Sequence, residues 1–154
     1  MFPIEIRNIT DTNVEDFIPE GETNDVYAKY YSPTCGHCIE MKKDWEKMCN
    51  KLKKKQSDKK LLIVEIDPSA LQKLQNTNIH SDVMGFPSIH YLKKGKSVEE
   101  YTGNRNANDL EKWIKRHVKI NEMTGGKKPK RKSKKPKRKS KKSTQKKKST
   151  QKKK

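Results

Sequence analysis

The sequence lacks any run of about 18 apolar residues, so no membrane-spanning helix is expected. The first residues, Met1 to Arg7, hold no charged segment followed by an apolar one, so a secretory leader is not expected and an intracellular chain is. Cysteine is scarce: three in 154 residues, too few and odd in number for a disulfide scaffold. In a compartment that keeps thiols reduced, a close cysteine pair reads as redox or metal chemistry and not as a staple. The last 28 residues, 127–154, lack both acids and apolar side chains, yet they hold 18 of the 38 Lys+Arg. Residues 1–126 carry 20 basic and 19 acidic residues, so a formal +19 is in fact a near-neutral region joined to a cationic tail.

Such a tail cannot bury enough apolar surface to offset its ordering entropy, and it is expected to be disordered. The expected organisation is one folded domain over residues 1–120, large enough for one core, and a Lys-rich tail over 121–154. The tail is a tandem repeat: KKPKRKS over 127–133 recurs at 134–140, and KKSTQK over 141–146 recurs at 147–152. With no apolar position in the repeat, neither a solenoid nor a coiled coil can form.

Within the domain the patterning alternates between strand and helix. Residues 4–10 suit a strand. Thr12 with Glu15 three later suits a capping box opening a short helix through Val14 and Phe17, and Pro19 to Asn24 reads as a turn. Val26 to Ser32 reads as a buried strand. Met41, Trp45, Met48, Cys49 and Leu52 then lie on one face of a long helix that ends in lysines. Leu61 to Ile66 is a central strand, and Asp67-Pro68 a helix start. Ser88 to Leu92 and Ser97 to Tyr101 flank Lys94-Gly95, a hairpin signal. Asn106 to about Lys119 is the last helix. The order βαβαβαββα implies an α/β fold with helices on both faces of a sheet.

The chemistry gathers at Cys35-Gly36-His37-Cys38. At the start of a helix, unpaired N–H groups and the positive dipole end favour a thiolate on Cys35, the attacking sulfur. Cys38 lies within disulfide reach as the resolving thiol. His37 can place positive charge near the thiolate, which stabilises the reduced form and makes the disulfide a stronger oxidant. A zinc site from Cys35, His37 and Cys38 lacks a fourth ligand and the usual spacing, so no metal is expected. Cys49 reads as a small core side chain. His80, His90 and His117 have no partner motif and read as ordinary structural or surface histidines.

Tyr30 to Cys38 resembles the active-site segment of the thioredoxin superfamily, and its Cys-Gly-His-Cys centre is that of protein disulfide isomerase catalytic domains. Met84-Gly85-Phe86-Pro87-Ser88 resembles the family's cis-proline loop. Glu100 to Arg105 with Asn108-Asp109-Leu110 resembles the isomerases' last strand and helix start. The resemblance covers roughly residues 5–118. It implies a thioredoxin fold and a thiol–disulfide oxidoreductase that needs no cofactor beyond the Cys35–Cys38 disulfide and acts on protein thiols and disulfides. It implies a cis Pro87, with Phe86 binding substrate beside it, and an Arg105 that assists the resolving cysteine. The alternative for Arg105 is a solvated loop charge. Isomerase-type centres lie near about −180 mV and thioredoxin near about −270 mV, a gap of roughly 4 kcal/mol. In a reducing cytosol such a centre oxidises substrates only if a partner such as a sulfhydryl oxidase reoxidises it.

Two positions depart from the family. Thr34 stands where Trp usually precedes the first cysteine, which changes the substrate-docking surface. Lys29 stands where the family carries a buried carboxylate that helps deprotonate the second cysteine, and Glu65 stands where the isomerases carry lysine. An inverted buried pair is expected, with Glu65 as proton acceptor for Cys38. The alternative is a Lys29 that snorkels to solvent beside a structural Glu65.

The tail is similar to lysine-rich nucleic-acid-binding tails, and KKPKRK is similar to a nuclear localisation signal. Lys130, Arg131, Lys132, Lys137, Arg138 and Lys139 are the expected phosphate contacts. With no aromatic among them, binding would be non-specific. The alternatives are a solubilising or targeting tail, or weak association with anionic lipid. Phosphorylation at Ser133, Ser140, Ser143 or Ser149 would tune its charge. Nucleus and the virion of a large DNA virus are the locations the tail suggests. A rival reading makes the tail the function and the domain a redox-silent scaffold.

Overall fold

The computed structural model describes residues 1–79 and 82–122. Expectations for the tail contacts and for His80 therefore lie outside the described residues. The elements are β1 (Phe2–Ile9), α1 (Val14–Thr23), β2 (Asp25–Tyr30), α2 (Gly36–Leu52), β3 (Lys55–Ser57), β4 (Leu61–Ile66), α3 (Pro68–Leu74), β5 (Ser88–Lys93), β6 (Lys96–Glu100), α4 (Ala107–His117) and β7 (Ile120–Glu122). Among the described residues they build one mixed sheet in the order β6-β5-β2-β4-β1-β3-β7. β1, β4 and β2 run parallel, and β5, β6, β3 and β7 join antiparallel. This is the thioredoxin fold with helices on both faces.

Period-two alternation divides the core into two layers. Leu61 and Ile63 of β4, with Tyr27 of β2, pack under α2 and α4 against Met41, Trp45, Leu110 and Trp113. Leu62, Val64 and Ile66, with Val26 and Ala28, pack on the other face under α1 and α3 against Phe17 and Leu74. On the first side the aromatics interlock. Tyr27 stacks on Tyr91 at 4.9 Å and meets Trp113 edge-on at 5.1 Å. The Tyr27 hydroxyl donates to the Ile114 carbonyl at 3.0 Å, which fixes α4 on the sheet.

Three expectations fail. Residues 19–24 are not a turn: α1 continues through Pro19 to Thr23. Pro19 forfeits one main-chain bond, but buried Val14, Phe17 and Gly21 hold the helix on the sheet, and the Thr23 hydroxyl donates to the Pro19 carbonyl at 3.0 Å. Arg7 of β1 donates to both oxygens of Glu20, at 3.0 and 2.8 Å. The Thr12–Glu15 capping box is absent as well. Thr12 turns to the Thr10 hydroxyl, and Asn13 is the N-cap residue without a side-chain bond into the helix. Asn13 instead accepts from the Thr10 N–H at 2.8 Å and donates to the Asn8 carbonyl at 2.9 Å, bracing the preceding loop. Finally, β3 and β7 extend the sheet beyond the expected order, and β7 ends at Glu122, past residue 120. Both strands have three residues and are rich in polar side chains, so period-two patterning has little to show.

The other elements match closely. Asp67 caps α3 with Pro68 in its first turn, its carboxylate accepting from the Ala70 N–H at 2.9 Å. Lys94 and Gly95 carry φ of 51° and 79°, a pair of left-handed residues that suits a tight β5–β6 hairpin.

Candidate active site

Cys35 is the N-cap of α2, extended at φ −80° and ψ 119°. Its sulfur accepts from the Cys38 N–H at 3.2 Å, so the thiol replaces the usual Ser or Asp cap. The preceding turn closes with the Cys35 N–H donating to the Ser32 carbonyl at 3.2 Å. All three cysteines are free thiols, and Cys35 is partly exposed while Cys38 and Cys49 are buried.

The pair is electrostatically divided. Cys35 lies below the ordinary thiol value, chiefly because the Cys38 thiol donates to its sulfur. The main-chain N–H groups of Cys38 and His37 and the charge of Arg105 act in the same sense. Cys38 lies above it, chiefly through burial and then through its bond to Cys35, opposed by the Ser32 main chain and the charge of Lys29. A lowered exposed thiol beside a raised buried one is the asymmetry that attack and resolution require.

The His37 ring lies beside Glu40, Nδ1 to Oε2 at 3.2 Å, with both side chains about three-quarters exposed. The effect of His37 on Cys35 comes from its main-chain N–H. Cys49 is a buried core thiol pushed up to about 12, chiefly by burial.

The loop before β5 closes the other side. The Phe86–Pro87 peptide is cis, and the Cys35 thiol donates to the Phe86 carbonyl at 3.4 Å. Pro87 is buried, and Phe86, Met84 and Ile39 are exposed apolar side chains. Thr34 is exposed, its hydroxyl 3.2 Å from that of Ser32. Arg105, in the loop before α4, is exposed and shares a groove with His37, Glu40 and Asp44.

Beneath Cys38, strand register pairs Lys29 of β2 with Glu65 of β4, and the Lys29 ammonium bonds Glu65 Oε1. The ammonium also lies 4.9 Å from the Trp45 ring and 5.4 Å from that of Tyr31. Lys29, Glu65 and Cys38 line one cleft with Asn8, Tyr31 and Ser32. Trp45 and Tyr31 were legible only as core and strand residues. The signal for their second role is spacing: Tyr31 lies two residues after Lys29, and Trp45 seven after Cys38, two helical turns along the same face.

A dithiol at a helix start, beside a cis-proline loop at the same end of a mixed sheet, defines a domain of the thioredoxin superfamily. The chain belongs to that family: the family model Thioredoxin matches residues 5–116. Human Protein disulfide-isomerase A4 is 33% identical over 102 residues, 66% of this chain and 15% of that protein. A Protein disulfide-isomerase of Ricinus communis is 30% identical over 112 residues, 72% of this chain and 22% of the relative. The chain thus spans only a fraction of the length of these relatives. The solution structure of the first thioredoxin domain of mouse Protein disulfide-isomerase A4 aligns with a TM-score of 0.54 at 26% identity, covering 84% of each chain.

Proposed function

We infer that the chain is a protein thiol–disulfide oxidoreductase in which Cys35 attacks and Cys38 resolves. The observation that carries this reading is the divided pair: an accessible Cys35 held low at the helix start, over a buried Cys38 held high. In the reducing direction, the Cys35 thiolate attacks one sulfur of a substrate disulfide, forming a Cys35–substrate bond and releasing the other substrate sulfur as a thiolate. Cys38 then attacks Cys35 Sγ, the Cys35–Cys38 bond forms, and the second substrate sulfur leaves. The substrate gains two electrons and the enzyme dithiol loses them; the reverse sequence oxidises a substrate dithiol. The Phe86 carbonyl, 3.4 Å from Cys35 Sγ, and the apolar surface of Phe86 and Met84 mark where an extended polypeptide lies. Arg105 favours the thiolate that leaves or returns at Cys35.

Insulin reduction and refolding of reduced ribonuclease by the full chain test the reading. Wild type should turn over in both assays, and Cys35→Ser in neither. Equal rates for the two proteins would end the proposal.

The tail supports a second element of the reading, non-specific association with nucleic acid through Lys130, Arg131, Lys132, Lys137, Arg138 and Lys139. Lysines and arginines neutralise phosphates and release counterions, so for 6–10 contacts DNA retardation should weaken about 10³- to 10⁵-fold between about 50 and 200 mM salt. Salt-insensitive retardation, or equal retardation by a chain ending at Gly126, would count against it.

A further inference from the structure

Lysine seldom stays in a protein interior, because its stem usually carries the ammonium out to water. Lys29 does stay: it is 2% exposed, in the middle of the sheet, on the face that α2 covers. The burial is asymmetric. The Glu65 side chain is 28% exposed and reaches solvent, while that of Lys29 is 3% exposed. The ammonium is held from three sides, by the Glu65 carboxylate and by the rings of Trp45 and Tyr31. On its remaining side lies the cleft shared with Cys38, about 340 Å³ and room for several waters. The charge of Lys29 favours the Cys38 thiolate against the burial that raises that thiol.

We propose that Lys29 is the group that activates the resolving cysteine: clamped by Glu65, Trp45 and Tyr31, its ammonium stabilises the Cys38 thiolate while Cys35 is held in a mixed disulfide, and Glu65 is a positioning residue that acts through Lys29. The proposal rests on the reaction inferred above. In the resolving step the Cys38 thiol gives its proton to water in the cleft. Its thiolate attacks Cys35 Sγ, the Cys35–Cys38 bond forms, and the bond to substrate breaks. The departing substrate thiolate takes up a proton from solvent. Burial opposes the ionisation that starts this step, and an opposite charge nearby offsets it. Among the described residues, the other charged or titratable groups around the site are Arg7 of β1, Tyr31, the N-cap Cys35, His37, Glu40, Lys42, Asp44, Glu46 and Cys49 of α2, and Arg105 before α4. Arg105 acts on Cys35, and His37 pairs with exposed Glu40. The arrangement inverts the sign of the buried charge that the family resemblance leads one to expect beneath the second cysteine.

The test titrates Cys38 in the full chain carrying Cys35→Ser, by thiolate ultraviolet absorbance or by the pH dependence of alkylation. Cys49, pushed up to about 12, stays a thiol over that range. Lys29→Met should raise the Cys38 midpoint by about one pH unit, about tenfold less thiolate at neutral pH, and Lys29→Arg should restore most of it. Glu65→Gln should leave the midpoint unchanged or lower it, because the ammonium then faces Cys38 without its counter-charge. An unchanged midpoint in Lys29→Met would overturn the proposal. So would a rise in Glu65→Gln equal to that in Lys29→Met, which would make Glu65 the acting group. Circular dichroism confirms folding; if Lys29→Met fails to fold, Lys29→Gln and Glu65→Gln decide. Insulin reduction by wild type tests the underlying reaction separately, since the Cys38 titration does not depend on turnover.

Discussion

Glu111 is the structural charge whose removal has the clearest consequence. It sits on the buried face of α4, and its side chain is 12% exposed. It accepts from Lys115 at 2.6 Å, from Lys55 of β3 at 3.2 Å and from Lys51 of α2 at 3.5 Å, so one carboxylate joins three elements. Burial alone would raise its pKa, but the bonds from Lys115 and Lys55 outweigh burial and hold it at about 2, against an ordinary 4.5. At about 1.4 kcal/mol per pH unit, that difference corresponds to about 3 kcal/mol of folding stability. Lys51 and Lys115 are each 40% exposed, and solvent screening there reduces the expectation to about 2 kcal/mol. The sign follows from the depressed carboxylate: the contribution is complete above the unfolded value and is lost as pH falls toward about 2. Urea unfolding of wild type and Glu111→Gln across this range is the assay. The two proteins should differ by about 2 kcal/mol at neutral pH and converge near pH 2–3. Glu20 and Glu99 are also held below the ordinary carboxylate range, so the difference between the two proteins is diagnostic and the wild-type curve alone is not. A gap that stays constant with pH, or no gap at neutral pH, would refute the reasoning.

Further outcomes follow from other sites. Gly95→Ala should cost about 1–2 kcal/mol in denaturant unfolding, because a side chain at φ 79° is strained and its Cβ would lie 3.0 Å from the Asn78 carbonyl oxygen. His90 is buried between the hydroxyls of Ser88 and Ser97, at 2.7 and 2.9 Å, and burial lowers its pKa against the opposing charges of Glu100 and Asp82. The unfolded chain therefore binds its proton first, and stability should decline as pH falls from about 6.5 through the folded value, a decline that His90→Gln should flatten. Tyr27→Phe removes the donor to the Ile114 carbonyl and should cost about 1 kcal/mol, with the far-ultraviolet spectrum unchanged.

How far the sequence could be read depended on how strongly each segment was patterned. β4 was legible residue for residue because five apolar residues, interrupted only by Glu65, end at Asp67-Pro68, a capping signal that admits little else. The Cys35 position was legible for a similar reason: a proline-containing turn ahead of a long apolar stripe fixes where the helix starts. Pro19 misled because local propensity disfavours it inside a helix, whereas Phe17 and Gly21 packed on the sheet supply more than the proline forfeits. β3 and β7 escaped notice because each is stabilised by pairing with a neighbour distant in sequence and neither carries an apolar pattern.

The Lys29–Glu65 pair shows where the boundary of legibility lies. The family resemblance singled out both positions and strand alternation put them on one buried face, and two opposite charges on adjacent buried strands can hardly remain apart. Orientation was beyond reach. Which of the two charges points inward depends on how the Trp45 and Tyr31 rings wall in the longer side chain, and that follows from packing between α2 and β2. The same limit applies to the net charge. A sum of +19 draws attention to the repeated lysines, yet the lysine nearest the chemistry lies in the region whose basic and acidic residues almost cancel. Its effect does not scale with number. An exposed lysine is screened within about 10 Å at ordinary salt, whereas one ammonium closed in by two aromatic rings and sharing a cleft with the Cys38 sulfur is screened less.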